Sequence, residues 1–258
     1  MAAQRLTELP EWKAARRIKC NPDAPQRAVR LAALREGKTV VMAVPRLRAE
    51  RCFLRLDPRA LGGKLTQAAT IKGASNLGVP VLPGQIGRID LVVAGSVAVN
   101  RTGARLGKGG GYSDLEFALA HSLGLVDDDT PVVSTVHELQ VIDDAIPMTA
   151  HDVPLDLVVT PDRVIRVRRQ RKKPAAIFWK ELSAEQLGEM PALAKLAPSR
   201  PRVSQRVSQA RSTSGALQAA KLSSSAAGVS AKSKSPAYRG FTKPSRTACS
   251  INARRPSQ

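Results

Sequence analysis

Cysteine, histidine and aromatic residues are scarce in this chain: its 258 residues include 3 Cys, 3 His, 2 Trp, 2 Tyr and 4 Phe. Cys20, Cys52 and Cys249 show neither paired nor metal-type spacing, which excludes a disulfide scaffold and leaves a reducing compartment as the default. His121, His137 and His151 share no metal-ligand spacing, so a histidine metal cluster is excluded as well. No apolar run approaches the ~20 residues of a membrane span. The opening MAAQRLTELPEWKAARR lacks the apolar core of a secretory signal. A cytoplasmic location is expected; a chloroplast location would need a plant leader upstream of Met1. Acidic residues are missing only toward one end. The net charge is +20, yet residues 1–167 carry 22 Lys/Arg against 18 Asp/Glu, while residues 168–258 carry 19 against 3. Residues 197–258 hold 12 basic residues, 14 serines, no acidic residue, and only Tyr238 and Phe241 as aromatics. So few large apolar groups cannot offset the entropy of ordering, which predicts a disordered basic Ser-rich tail over 197–258. Such a tail could hold RNA non-specifically through counterion release. The folded domain is expected over 1–196, and it is close to neutral.

What the chain does have is concentrated between Arg88 and Leu123. Ile89 to Val99 is an apolar run broken only by Asp90, Gly95 and Ser96, the pattern of a strand buried on both faces of a parallel sheet. Leu115, Ala118, Leu119 and Leu123 follow at helical spacing. Ser113 with Glu116 three residues later reads as a capping box. Gly107, Gly109, Gly110 and Gly111 lie between strand and helix. In that setting glycines let backbone N–H groups converge on an anion, the helix start adds partial positive charge, and Arg105 and Lys108 add full charges. A Walker loop needs glycine six residues before Lys108 and Ser or Thr after it, where the sequence has Thr102 and Gly109, and Tyr112 stands where a dinucleotide fingerprint needs its third glycine. Asp114 suits the helix dipole but would repel a phosphate unless a cation lay between them. The residues alone leave open a simpler alternative, in which the glycines only turn the chain and Ser113, Asp114 and Glu116 only cap the helix.

Along the rest of the chain, helices are expected at Pro10 to Arg17 and Val29 to Arg35, the second ending at Gly37. Strands are expected at Thr39 to Val44, Cys52 to Leu56, Pro131 to Val136, Leu155 to Thr160 and Val164 to Val167. Gln67 to Ala74 reads as helical before Gly78-Val-Pro-Val turns toward a strand. Pro174 to Trp179 reads as an extended arm, and Ser183 with Gln186 as a helix cap. The alternation predicts an α/β domain built on one parallel or mixed sheet. His151, Asp152 and Asp156 stand just before a buried strand and are candidates to face the glycine loop. His137 is expected as a packed strand-end residue and His121 on a helix surface.

The stretch Arg105 to Asp114, RLGKGGGYSD, resembles the nucleotide-binding loop of the 5-formyltetrahydrofolate cyclo-ligase family. The segments NPDAP (21–25), VPRL (44–47), DLVVAGSVAVN (90–100), GKGGGYSDLE (107–116), VHELQV (136–141) and HDVPLDLVVTP (151–161) follow that family's order, closest to its methenyltetrahydrofolate synthase domain-containing branch. The resemblance implies a three-layer sheet of the cyclo-ligase type, related to the ribose-5-phosphate isomerase and CoA-transferase group. It implies ATP held by Arg105, Gly107, Lys108, Gly109, Gly110, Gly111 and Tyr112, with Mg2+ held by Asp114 and Asp152. A reduced folate is the implied second ligand. Several departures from the family pattern predict impaired catalysis. Leu115 replaces a basic residue after the glycines, Ala94-Gly-Ser-Val-Ala98 replaces Pro-Gly-x-x-Phe, and a Gly-Ile-Arg-Glu-Pro segment has no counterpart before Arg88. The domain also starts about a quarter of the way into the family's, as an N-terminally incomplete version would. The expectation is therefore a cyclo-ligase-like protein that binds ATP or a reduced folate. The alternatives are active ATP-dependent conversion of 5-formyltetrahydrofolate to 5,10-methenyltetrahydrofolate, and RNA association through the tail.

Overall fold

Short runs of Val, Ile and Leu, each too brief to be an amphipathic helix, pair side by side in the computed structural model, which describes residues 1–168 and 170–198. The first half of the chain contributes α1 (Ala2–Thr7), α2 (Pro10–Ala14), β1 (Arg17–Cys20), α3 (Arg27–Arg35), β2 (Thr39–Ala43) and β3 (Phe53–Leu56). Then come α4 (Leu65–Ala68), α5 (Ile71–Leu77), β4 (Val79–Val81), β5 (Leu91–Val93), β6 (Ala98–Asn100) and β7 (Arg105–Leu106). The longest helix, α6 (Tyr112–Ser122), precedes β8 (Val132–Thr135), β9 (Val141–Ile142), β10 (Leu157–Val159) and β11 (Val164–Arg166). The helices α7 (Ala184–Glu189) and α8 (Pro191–Leu196) close the described chain.

An eight-stranded sheet has the order β11-β10-β8-β5-β1-β2-β3-β4. Its centre, β10-β8-β5-β1-β2, is parallel, and antiparallel strands finish both sides. The chain starts in the middle at β1, runs outward through β2, β3 and β4, then returns to β5 on the other flank of β1. Strand order therefore reverses between β1 and β5, and that reversal leaves a crevice beyond their carboxyl ends.

Alternation along each central strand divides the core in two. Val40, Met42, Leu91, Val93, Leu157 and Val159 face one cluster, with Leu6, Trp12, Val29 and Leu34 from the first three helices. Val41, Ala43, Val92 and Val158 face the other, with Phe117 and Leu119 of α6 and Leu193 of α8. Sheet covered on both faces gives the expected three-layer α/β architecture. Trp12 anchors the first layer: it is fully buried, its indole N–H donates to Glu36 at 2.7 Å, and the Lys38 ammonium sits 5.5 Å from its ring.

Several local expectations are corrected. The apolar run from Ile89 to Val99 is two strands, not one: it leaves the main sheet after β5, and β6 joins a separate three-stranded sheet of order β7-β6-β9. The break falls at Gly95, where an added Cβ would lie 2.2 Å from Asp23 Oδ2. The helix expected at Pro10 to Arg17 stops at Ala14, and Arg17 already belongs to the central strand. Asp90, which interrupts the apolar run, accepts from the amides of Arg16 and Arg17 at 2.8 Å and fixes the start of that strand. Ser113 and Glu116 form no capping box; the left-handed Gly111 is the N-cap of α6. The cap at Ser183 and Gln186 forms as the spacing indicates. The basic tail expected over 197–258, with its RNA-binding expectation, lies outside the described residues from position 199 onward. Among the described residues no helix is long and apolar enough to cross a membrane.

Trp12→Ala should lower the unfolding free energy by about 3–5 kcal/mol, the usual cost of emptying a large buried aromatic site. Urea denaturation followed by circular dichroism measures it, and a loss under about 1 kcal/mol would mean that the site collapses without Trp12.

Candidate functional site

The crevice at the strand reversal is a cleft of about 500 Å³, within the usual range of small-ligand sites. Its floor is the turn Asn21-Pro22-Asp23 after β1. That turn is held from behind by Arg30 of α3, whose buried guanidinium donates to the carbonyls of Asn21 (2.7 Å), Asp23 (3.0 Å) and Ala69 (2.9 Å). One flank is Gly95-Ser96 after β5, and the other is Val44-Pro45-Arg46 after β2. The glycine loop forms the overhanging wall. It is delivered by the β6–β7 hairpin, whose turn is built on Asn100 Oδ1 accepting from the Thr102 and Ala104 amides at 3.1 Å. Gly103 is needed there because it has φ +83 and a Cβ would lie 2.6 Å from the Leu155 carbonyl.

A buried ion pair joins this wall to the floor. Ile18 and Cys20 point into the first core, so Lys19 must point to the other face, in register with Val41 and Val92. Its ammonium pairs with Glu116 on α6, and the two residues are 2% and 5% exposed. Lys19 also donates to Asn21 Oδ1 at 3.3 Å, and Ser113 Oγ lies 3.4 Å from the same oxygen. Ser113 and Glu116, expected as caps, thus fasten α6 to the end of β1.

The structure brings most of the expected ATP-binding residues together. Arg105, Gly107, Lys108, Gly110, Gly111 and Tyr112 line the cleft. Gly109 and Gly111 adopt φ +85 and +64, which glycine reaches without Cβ strain. The Tyr112 ring lies against Gly110, where a Cβ would come within 2.8 Å of it. Among the described residues, the backbone N–H groups from Lys108 through Ser113 make no hydrogen bond. Those donors sit at the N-terminus of an eleven-residue helix, an arrangement suited to an anion.

The two loop cations differ. Arg105 Nη2 donates to Asp114 Oδ1 at 2.5 Å with side chains only 4% and 11% exposed, and Arg105 Nη1 reaches the Gly95 carbonyl at 3.4 Å. Lys108 pairs with Asp23 at 2.5 Å but is 74% exposed, so that contact is worth at most about 1 kcal/mol. Arg105 is locked and Lys108 is exchangeable. Asp114 also accepts from the Val153 amide at 3.0 Å, again through Oδ1.

Asp152 does not line the cleft; its carboxylate closes a turn by accepting from Thr149 N and Oγ1 at 2.6 and 2.9 Å. Among the described residues no group of three or more His, Cys, Asp or Glu could hold a metal. Asp156 is at the opposite, amino end of the strands, where it accepts from Val132 N and pairs with Lys173, both at 2.8 Å. His151 pairs with Glu181 at 2.6 Å and packs edge-on to Phe178, behind α6 rather than in the cleft. His137 is exposed, not packed, and caps a short turn. Burial pushes the thiols of Cys20 and Cys52 up to about 11 and about 12, so neither is a nucleophile at neutral pH.

Residue reasoning missed Lys19, Asp23, Gln26, Arg46 and Glu116. Lys19 had a usable signal, as a charge set between Ile18 and Cys20. Arg46 had one too, in a Val-Pro-Arg-Leu segment at a strand end. It lines the cleft with φ +57, followed by Leu47 at φ +53, a conformation that costs a non-glycine residue of order 1–3 kcal/mol. Full burial of the Leu47 side chain holds the turn.

Residues 1–161 match the model of the 5-formyltetrahydrofolate cyclo-ligase family. The chain belongs to that family. Methenyltetrahydrofolate synthase domain-containing proteins of Bos taurus and Homo sapiens are 44% and 39% identical over 200 and 201 residues, 76% of this chain and 52% of each relative. This chain thus matches about half the length of those curated relatives. A 5-formyltetrahydrofolate cyclo-ligase of Mycolicibacterium smegmatis is 37% identical over 87 residues, 33% of this chain and 41% of that protein. The solved structure of Aquifex aeolicus 5,10-methenyltetrahydrofolate synthetase aligns with TM-score 0.45 at 23% identity, covering 66% of this chain and 81% of that one.

Lys19→Met should cost about 3–5 kcal/mol, because it strands the Glu116 carboxylate in the core. The double variant Lys19→Met/Glu116→Leu should recover most of that loss. Urea denaturation of both variants tests the pair; a double variant as unstable as the single one would show that packing around Lys19, not charge, is what fails.

Proposed function

We propose that this cyclo-ligase-like protein binds ATP and a reduced folate in the cleft between the carboxyl ends of β1 and β5, with weak or no turnover. The observation that carries this is the run of unbonded amides from Lys108 through Ser113 at the start of α6, lining a cleft large enough for a nucleotide. Backbone donors of that kind suit the oxygens of a polyphosphate. Lys108 is the cation that supplies full charge to it, because its exposed pair with Asp23 yields readily to a more highly charged partner. Arg105, held by Asp114, shapes the wall instead. Tyr112 packs on the loop and would border the base or sugar.

The donor set fits a divalent cation that arrives on the triphosphate and keeps phosphate and water ligands. Asp114 would hold it, since both of its hydrogen bonds fall on Oδ1. When bound, the ion neutralises phosphate charge. In the family's reaction, ATP phosphorylates the formyl oxygen of 5-formyltetrahydrofolate, N10 attacks the activated carbon, and phosphate departs. Catalysis of that kind relies on positioning and on charge neutralisation. Here the helix position after Asp114 is Leu115, packed in the core, so the basic group expected from the family pattern is missing beside the phosphates. Binding with impaired turnover follows from that loss of one cation.

Calorimetry with Mg-ATP and with 5-formyltetrahydrofolate tests this. Lys108→Ala should abolish measurable Mg-ATP binding. Asp23→Asn, which frees Lys108 and removes a negative charge facing the phosphates, should tighten Mg-ATP binding about 3–10-fold, the effect of roughly 1 kcal/mol. Equal binding by wild type and Lys108→Ala would remove the loop from nucleotide recognition. ATP-dependent appearance of the methenyl chromophore at rates typical of enzymes would show turnover to be intact.

A further inference from the structure

The two edges of the eight-stranded sheet are finished differently. At one, β4 sets Pro80 opposite Leu54 of β3, and a proline has no N–H to offer a further strand. The Pro80 carbonyl accepts from Arg51 Nη1 at 3.4 Å. That edge is closed, as open sheets need in order to stay apart from other chains. At the other edge β11 is open. Thr160 N donates to the Arg163 carbonyl at 3.0 Å and Val167 N to the Asp156 carbonyl at 2.9 Å, with Val158 opposite Ile165 between them. Main-chain groups in an antiparallel pair alternate in direction, so those of Val164 and Arg166 point away from β10. Among the described residues none of these outward N–H and C=O groups has a hydrogen-bond partner.

The side chains along this edge show what would pair with it. Six of the ten residues 163–172 are Lys or Arg and none is acidic. Arg166 reaches Glu11 at 2.6 Å but is 60% exposed, so the contact is exchangeable. Arg168 is exposed and has no ion-pair partner among the described residues. Ile165 and Val167 lie on the other face, half-buried against the α6 side of the core. Directly opposed residues of neighbouring strands point the same way. A strand added beside β11 would thus meet basic groups on one face and apolar groups on the other. We infer that β11 takes up an extended segment of a partner protein in which acidic and apolar residues alternate, paired main chain to main chain with Val164 and Arg166. RNA would use the arginines but would leave the strand-spaced N–H and C=O groups unmatched; a peptide strand uses both.

Fluorescence anisotropy on the full chain with labelled acetyl-EVEVEVE-amide tests this. Wild type should bind this peptide, more weakly as salt rises, and should not bind the KVKVKVK counterpart. Val164→Pro removes an outward N–H and leaves the bonds to β10 in place, so it should weaken binding about 10-fold, the upper range for one lost hydrogen bond. Arg166→Glu/Arg168→Glu should weaken it by a similar factor. Two further peptides, N-methylated at every glutamate or at every valine, keep the charge and differ in which edge can donate. One of them should lose binding to wild type and the other should keep it, a readout that needs no variant of the chain and stands even if Val164→Pro lowers the Tm. Unchanged affinity in a folded Val164→Pro overturns the inference, as do equal affinities of both methylated peptides and the unmodified one, which would mean charge attraction alone. No binding of EVEVEVE to wild type overturns it too. If, in that case, an oligouridylate binds and Arg166→Glu/Arg168→Glu abolishes its binding, the basic run belongs to RNA instead.

Discussion

One buried charge pair constrains the rest of the site. Lys19 stands in the central strand between Val41 and Val92, and the Glu116 carboxylate on α6 is the opposite charge that makes that burial tolerable. As a source of stability such a pair is poor, because a well-packed apolar replacement does as well or better. What it supplies is direction. An apolar helix face can slide or rotate over a valine surface at little cost, whereas a buried ammonium accepts its partner in one place. Fixing α6 at Glu116 fixes its N-terminus one turn earlier, and with it the glycine loop above the end of β1.

The cleft then sorts its cations by burial. Arg105 is sealed against Asp114 and cannot leave without stranding a carboxylate, so it works as part of the wall. Lys108 has a partner of the same kind in Asp23 but is mostly solvated, and screening reduces that contact to something a polyphosphate can replace. Among the described residues Arg46 has no carboxylate to give up. These are three basic residues of one cleft with three different availabilities, and formal charge distinguishes none of them.

Much of the architecture was legible because it rests on local patterns. Thr39 to Val44, Leu155 to Thr160 and the helix to Arg35 are short and strongly patterned, and they form nearly as their residues indicate. The glycine loop was legible for the same reason, since its conformation demands glycine wherever φ is positive. The failures are tertiary. The run from Ile89 to Val99 has the hydropathy of a single buried strand, yet it changes sheets at Gly95, where Asp23, from a turn more than seventy residues earlier in the chain, leaves no room for a Cβ. The helix expected from Pro10 ran on to Arg17 and no strand was expected over RIKC, because a four-residue strand with a lysine inside has no periodicity to reveal it. Asp152 and Asp156 were grouped by proximity in sequence, yet one closes a turn and the other caps strands at the far end of the sheet.

Asp114 ties these levels together. A carboxylate at the start of a helix is favourable to the helix dipole but would repel a phosphate placed there, and its contacts temper that conflict by pairing it. Through Oδ1 it holds Arg105 on one side and the Val153 amide on the other, so the segment leading into β10 is attached to the cleft wall. Directly behind it, Leu115 and Ala118 of α6 meet His151, Phe178 and Leu182. Leu182, Met190 and Leu193 complete the core on that face, although they lie beyond the 161 residues that match the family model. The outer side of α6 is thus covered by sequence outside that match. Without that cover, α6 would present an apolar face to water, and the helix that carries the cleft-lining amides would lose the packing that keeps them aimed at the cleft.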